Sequence, residues 1–298
     1  FGLSCNRTSS VSINVLVPPD HPLELDLETP NPEATWDATQ FQEQLETLIQ
    51  VGPIRPNDVV ESYLEYMTYG DEGCPGSTLH FDSSYTLGGC WADSGAYFAG
   101  IAWLEVTEQR PDNGIYLDYS FGGDMTIRLP NGDTFKGGGH MDVESTVDTN
   151  TYFRSTRFSM AGSWRDDVRT NWMGQGYSGY FWVEASVDAD QFQIALDGGV
   201  DTGDITVQFS DLSLDDSRES CPSVPEGTIH IRGEEDYWYS WEVGEQCDYC
   251  GPVSFQDATI IDEFCYDLSE YMYQVADSVL YPELWPGDEE EIDDAGKR

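Results

Sequence analysis

Leu129-Pro130-Asn131-Gly132-Asp133-Thr134-Phe135 is the stretch on which the fold turns. Asparagine followed by glycine tolerates positive φ at both positions, as a two-residue type I′ turn requires. The segment therefore reads as a hairpin tip with Leu129 and Phe135 on its two arms. Outward from it lie short β-type runs with Gly, Asn and Asp at the joints. They cover Thr78–Asp82, Tyr97–Val106, Gly114–Phe121, Asp124–Leu129, Gly139–Val147, Tyr152–Met160, Tyr180–Val187, Phe192–Leu196 and Ile205–Phe209. Consecutive strands with tight turns predict a mainly β protein, an antiparallel meander forming a curved sheet or a sandwich. Crossover helices between the runs are missing, which argues against a parallel sheet.

Helices flank this region. Asp37 and Gln40 form a capping-box pattern ahead of Phe41, Leu45, Leu48 and Ile49, which share one helical face. Asn57 or Asp58 with Glu61 opens a second helix lined by Val60, Leu64 and Met67. Near the C-terminus Phe264, Leu268, Tyr271, Val275 and Val279 predict a helix over 267–280, with Asp267 and Glu270 as cap candidates. Five segments follow. Residues 1–20 are a truncated signal or lipid-anchor region with a first strand, where Val11, Ile13, Val15 and Val17 alternate. Residues 21–72 hold a strand and the helix pair, 73–219 the antiparallel β region, 220–283 a Cys-rich module and 284–298 a disordered acidic tail.

The 56 acidic and 13 basic side chains leave a formal net charge of −43, a field that repels phosphate backbones and anionic headgroups. Nucleic acid and a basic membrane-surface patch are excluded as partners. Lys136 and Lys297 are the two lysines, and this carboxylate-rich, lysine-poor composition suits a halotolerant, secreted protein. Hydrophobic residues at 39% and aromatics at 13% supply enough apolar surface for a packed core.

Seven cysteines leave one without a partner. Leu3-Ser4-Cys5 resembles the end of a bacterial lipoprotein signal, so Cys5 is the candidate acylated residue and the membrane is met through a lipid anchor. Cys74, Cys90, Cys221, Cys247, Cys250 and Cys265 then form three disulfides in an oxidising compartment. Cys74 and Cys90 close a local loop; the pairing of the other four stays open. Cys247-Asp-Tyr-Cys250 is a lone CxxC, lacking the second close pair of a zinc ribbon.

Gly227-Thr-Ile-His-Ile-Arg232, Trp238-Tyr239, Cys247-Asp-Tyr-Cys250-Gly251 and Cys265-Tyr-Asp-Leu268 together resemble the C-terminal module of uncharacterised acidic, Cys-containing lipoproteins of marine myxobacterial type. The resemblance implies surface localisation and disulfides and carries no activity with it.

Four patterns bear on chemistry. Glu24-Leu-Asp26-Leu-Glu28 would line three carboxylates along one strand face. It resembles the E-x-D-x-E signature of laminarinase-type β-jelly-roll glycosidases, implying Glu24 as nucleophile, Asp26 as helper and Glu28 as acid/base. Pro30 and Pro32 follow at once, and the run is read first as a solvated strand face, with the catalytic assignment as the alternative. His80-Phe-Asp82 and His140-Met-Asp142 are His-x-Asp pairs that suit a divalent transition metal or a carboxylate-oriented base, provided their strands are adjacent. Asp197, Asp201 and Asp204 lie in a Gly/Asp-rich stretch with the texture of a calcium-binding turn, calcium being the one cofactor suggested. Trp164, Trp172, Tyr177, Tyr180, Trp182, Trp238, Tyr239 and Trp241 are large enough to stack on sugars or to fill a core.

The sequence thus leads to an exported, lipid-anchored protein, at a bacterial outer-membrane surface or secreted. Its expected role is non-catalytic binding, adhesion or envelope structure, with a carbohydrate or a surface protein as partner. The alternatives are a glycan-active hydrolase using the paired carboxylates and a subunit of an extracellular filament.

Overall fold

The computed structural model describes residues 34–280, apart from 52, 54, 81–82, 110–113, 149, 152, 170–173, 175, 189–190, 204, 219–220, 234–236, 245–246 and 256–257. The strands expected over 10–17 and 23–28, and the acidic tail, lie outside these residues.

Two helices come first, α1 (Ala38–Val51) and α2 (Pro56–Met67). The Asp37 carboxylate accepts the N–H groups of Thr39 and Gln40 at 2.9 and 3.0 Å, and Gln40 Oε1 accepts the Asp37 N–H at 3.0 Å, so the capping box forms reciprocally. For α2 the expected start at Asn57 or Asp58 is corrected. Pro56 occupies the first turn after an extended Arg55, and no side chain caps it. Its buried positions are Val59, Val60, Ser62, Tyr63 and Tyr66, whereas Leu64 and Met67 are half-buried.

The strands follow: β1 (Gly76–His80), β2 (Ser83–Leu87), β3 (Cys90–Trp91), β4 (Tyr97–Gln109), β5 (Gly114–Arg128), β6 (Thr134–Asp148) and β7 (Phe153–Asp166). Then come β8 (Tyr177–Asp188), β9 (Gln191–Asp201), β10 (Thr206–Asp215), β11 (Glu226–Arg232), β12 (Trp238–Val243), β13 (Cys250–Phe255) and β14 (Ala258–Cys265). Among the described residues they make one antiparallel sheet, not closed, in which each strand neighbours the next along the chain; the short β3 pairs beside β4. The meander is therefore a single sheet rather than a sandwich. The boundary expected at residue 220 does not interrupt it, because β10 pairs with β11 across that point. Last comes α3 (Ser269–Leu280), where the Asp267 carboxylate accepts the Ser269 N–H at 2.9 Å.

The hairpin at residues 129–135 forms, with a different turn. Gly132 N–H donates to Leu129 O at 3.0 Å and Leu129 N–H to Asp133 O at 2.8 Å. Gly132 has φ 99°, while Asn131 is not among the described non-glycine residues with positive φ. This is a type I turn followed by a left-handed glycine, the three-residue hairpin, rather than a type I′ turn. Pro130 explains the difference: its fixed negative φ suits the first central position and moves Asn131 to the second.

Four of the glycine positions expected as joints between short runs lie inside strands instead. β5 runs unbroken through Gly122-Gly123, β6 through Gly137-Gly138-Gly139, β7 through Gly162 and β8 through Gly179. Gly123, Gly139, Gly162 and Gly179 are paired in succession as one rung across four strands. Their φ values are 149°, 150°, 134° and 139°, and an added Cβ would meet a neighbouring carbonyl oxygen at 2.1–2.2 Å. The rung is a crease: the strands stay hydrogen-bonded while the backbone takes a conformation open to glycine alone.

Alternation sorts the side chains onto two faces. Phe98, Phe121, Phe135, Met141, Phe158, Met160, Trp164, Phe181, Phe209, Ile229 and Trp241 are buried on the face that carries the helices. Tyr63 of α2 packs against Phe121, Phe41 of α1 against Trp241 and Phe264, and Tyr271 of α3 against Phe209. One buried polar cluster pins α2. The Asp166 carboxylate accepts the hydroxyls of Ser62 and Tyr66 and the Val168 N–H, and Arg169 lies 3.5 Å from it.

Candidate functional site

The opposite face carries no helix among the described residues. Its side chains fall into rungs set by the register. One rung runs Trp103, Gly122, His140, Ala161, Tyr180, Gly199, Gln208, His230 and Ser240 from β4 to β12. The Trp103 ring occupies the space that Gly122 leaves, since a Cβ there would come within 2.3 Å of it. Its centroid lies 6.1 Å from that of His140.

At the β2–β4 end the face is apolar and open. Trp91 is 67% exposed, with its ring centroid 4.8 Å from that of Tyr97. Leu87 and Ile101, both exposed, are directly paired. Alternation along β4 puts Tyr97, Ile101 and Trp103 on this one face. The Cys74–Cys90 disulfide anchors the residue next to Trp91.

Toward the centre the face becomes polar. His140 Nε2 lies 2.5 Å from Asp142 Oδ2, and Ser120 donates its hydroxyl to the other carboxylate oxygen. Burial alone would raise the Asp142 pKa, but the hydrogen bonds from His140 and Ser120 outweigh it and hold the carboxyl below its ordinary value. The carboxylate sits in the middle of this trio. A nucleophilic triad needs the imidazole there, so Ser120 gains no base. Asp118 moves the other way: burial and then the charges of Glu144, Asp142 and Glu105 raise its pKa. Exposed Arg157 bridges Glu144 and Glu184 at 3.5 Å each.

Tyr180 and Trp182 border β9, where Trp182 is paired with Asp197. Burial and the nearby Asp211 charge raise the Asp197 pKa, although the N–H groups of Asp211 and Gly198 oppose this. His230 Nε2 contacts Ser210 Oγ at 3.2 Å and Nδ1 contacts Ser240 Oγ at 2.7 Å, and burial lowers its pKa, leaving a neutral ring at pH 7.

The other sequence-derived candidates fare differently. Cys5, Glu24, Asp26, Glu28, Asp82, Trp172 and Asp204 lie outside the described residues. His80 ends β1 and His140 sits on β6, four inter-strand steps or about 19 Å apart, so the two His-x-Asp pairs are not adjacent. Asp197 and Asp201 are both on β9, about 13 Å apart along the strand, and Asp201 accepts the Gly203 N–H at 2.8 Å to close the turn. Trp164, Tyr239 and Trp241 fill the core, the Tyr239 hydroxyl accepting the Thr35 N–H at 3.0 Å. Tyr180, Trp182 and Trp238 are half-buried on the helix-free face. Trp91, Tyr97 and Trp103 escaped sequence reasoning as a site. The signal for Tyr97 and Trp103 was period-two spacing within β4, while Trp91 joins them only through its cross-strand pairing with Tyr97.

All six described cysteines are paired, Cys74 with Cys90, Cys221 with Cys247 and Cys250 with Cys265. The CxxC residues therefore go to different partners. Among the described residues one group of three metal-type side chains converges, Cys250, Glu263 and Cys265, and its two thiols are spent on a disulfide. Three disulfides fit an oxidising, extracytoplasmic compartment, and no described helix is long and apolar enough to cross a membrane. No known protein family, curated protein or solved structure matches the chain.

Proposed function

We propose that this chain is a non-catalytic binder of neutral polysaccharide, displayed outside the cell and held at a bacterial surface by acylation of Cys5. The exposed Trp91 ring beside Tyr97, continued by Ile101 and Trp103 on one helix-free face, is the observation that carries the binding reading. Flat rings held on a rigid sheet match the apolar faces of sugar rings and lose little side-chain freedom on contact. Hydroxyls and carboxylates farther along the face, at Ser120, Asp142 and Ser159, supply hydrogen-bond partners for sugar hydroxyls. The net charge of −43 favours a neutral glycan over an acidic one, and it opposes docking of a second copy.

Affinity electrophoresis through gels containing neutral glucans, xylan or mannan tests this, with alginate as the acidic comparison. A neutral polymer retards the wild type and alginate does not. Trp91→Ala and Trp103→Ala each weaken retardation about tenfold, the effect of losing one buried, stacked indole. Equal migration of wild type and Trp91→Ala in every gel rejects the reading. Mass spectrometry of the native protein tests the anchor through an acyl adduct on Cys5.

A further inference from the structure

The helix-free face contains a buried acceptor that the described residues leave unmet. Gln208 is 1% exposed and, among the described residues, its Oε1 has no hydrogen-bond partner. Across β9 its paired residue is Gly199, which has no side chain to offer. Across β11 it is His230, whose two nitrogens are engaged by Ser210 and Ser240. An amide oxygen shut away from water calls for a partner from elsewhere.

The same spot carries two carboxylates and a backbone irregularity. Phe209 pairs with Gly198 and Leu212 with Leu196, so Ser210 and Asp211 together oppose the single residue Asp197. Asp211 adopts φ 51°, a left-handed conformation that a non-glycine residue holds at some cost. Its N–H donates to the Asp197 carboxylate, so the bulge brings the two acids together. Gln208 and Asp197 are diagonal neighbours on one face, a relation that puts such Cα atoms about 7–8 Å apart. Arg218, which follows β10, is directed to Asp215 and Glu226, and Arg232 flanks Gln208 from β11, on the side away from Asp197.

We propose that Asp197, Asp211 and Gln208 Oε1 bind a calcium ion on the helix-free face between β9 and β10. Two carboxylates and an amide carbonyl form an all-oxygen set, which suits a hard cation and disfavours zinc or copper. The ion answers the unmet Gln208 oxygen and the proximity of the two acids at once. The grouping differs from Asp197, Asp201 and Asp204 because the strand continues through Asp201, whose carboxylate closes its own turn. This inference is independent of the polysaccharide reading.

Terbium luminescence excited through tryptophan tests it on the full chain, because Trp182 is paired with Asp197 and would sensitise an ion held there. The wild type is expected to give saturable emission at one equivalent, displaced by calcium. Asp197→Asn and Asp211→Asn each weaken calcium displacement at least about tenfold, and Gln208→Leu weakens it several-fold. Trp182→Phe dims the emission without changing the calcium midpoint. The double variant Asp118→Asn/Glu144→Gln, which removes two acids elsewhere on the face, leaves the midpoint unchanged. Circular dichroism confirms each fold, and should Asp197→Asn not fold, Asp211→Asn on its exposed bulge decides alone. A midpoint equal to that of the wild type in Asp211→Asn, or no saturable emission in the wild type, overturns the proposal.

Discussion

The Tyr66 hydroxyl of α2 donates to the buried Asp166 carboxylate at the end of β7, 3.0 Å away and 100 positions along the chain. Ser62, one turn earlier, donates to the other oxygen of the same carboxylate, and Arg169 lies beside both. Asp166→Ala strands two buried hydroxyls and removes an anion facing Arg169. It should cost about 3–5 kcal/mol, read as a lower midpoint in urea with disulfides intact. A change below about 1 kcal/mol would mean that α2 is held by its apolar face alone.

The glycine crease makes a contrasting pair of substitutions informative. Gly162→Ala drives a Cβ to 2.2 Å from the Gly138 carbonyl oxygen, while Gly132→Ala at the hairpin tip meets nothing within 4 Å. Both carry positive φ, so both are strained, but only the first must push neighbouring hydrogen-bonded strands apart. Thermal unfolding should show Gly132→Ala costing about 1–2 kcal/mol and Gly162→Ala more than about 3 kcal/mol, or failing to fold. Equal losses would show that strain, rather than strand approach, governs the crease.

Asp142 and Asp118 predict opposite signs on the same face. The Asp142 pKa is held below the ordinary 3.8, so its ionised form stabilises the fold above that value and the benefit fades as pH falls through the lowered one. Asp142→Asn should therefore be less stable than wild type at pH 7, with the gap closing under acid. The Asp118 pKa is raised, so its charge opposes folding at pH 7 and protonation relieves it on acidification. Asp118→Asn should be the more stable protein at pH 7 and lose that advantage toward pH 3. Denaturant midpoints at several pH values check both, and gaps of the same sign would contradict the assignment.

With a net charge of −43, salt should act on the whole molecule. The Debye length falls from about 30 Å at 0.01 M to about 3 Å at 1 M, which removes most repulsion among surface carboxylates. The unfolding temperature should rise steadily with NaCl, and KCl should match it. A flat response would indicate that the acids are too widely dispersed to strain the fold.

Features that depend on neighbours in sequence were readable from the amino acids. Asp37 and Gln40 announced α1, the hydrophobic spacing from Leu268 to Val279 announced α3, and the loop from Cys74 to Cys90 announced a disulfide. Features that depend on register were hidden. Gly123, Gly139, Gly162 and Gly179 look like separate turn signals until pairing aligns them in one rung. Trp103 and His140 become neighbours only because Gly122 stands between them, and Gln208 with Asp197 only because β9 and β10 pair around a bulge. Local rules supplied strands and turns; the helix-free face needed the cross-strand offsets, which no single segment encodes.

Each strand of the meander finds its partner one turn away, so the sheet can zip up in the order in which a ribosome makes it. Helix α1 cannot follow that schedule. Phe41 emerges early, yet Trp241 and Phe264, the rings that enclose it, are translated some two hundred codons later. The first of the described helices to be synthesised is thus among the last to dock, and its greasy side must stay uncommitted while the sheet assembles.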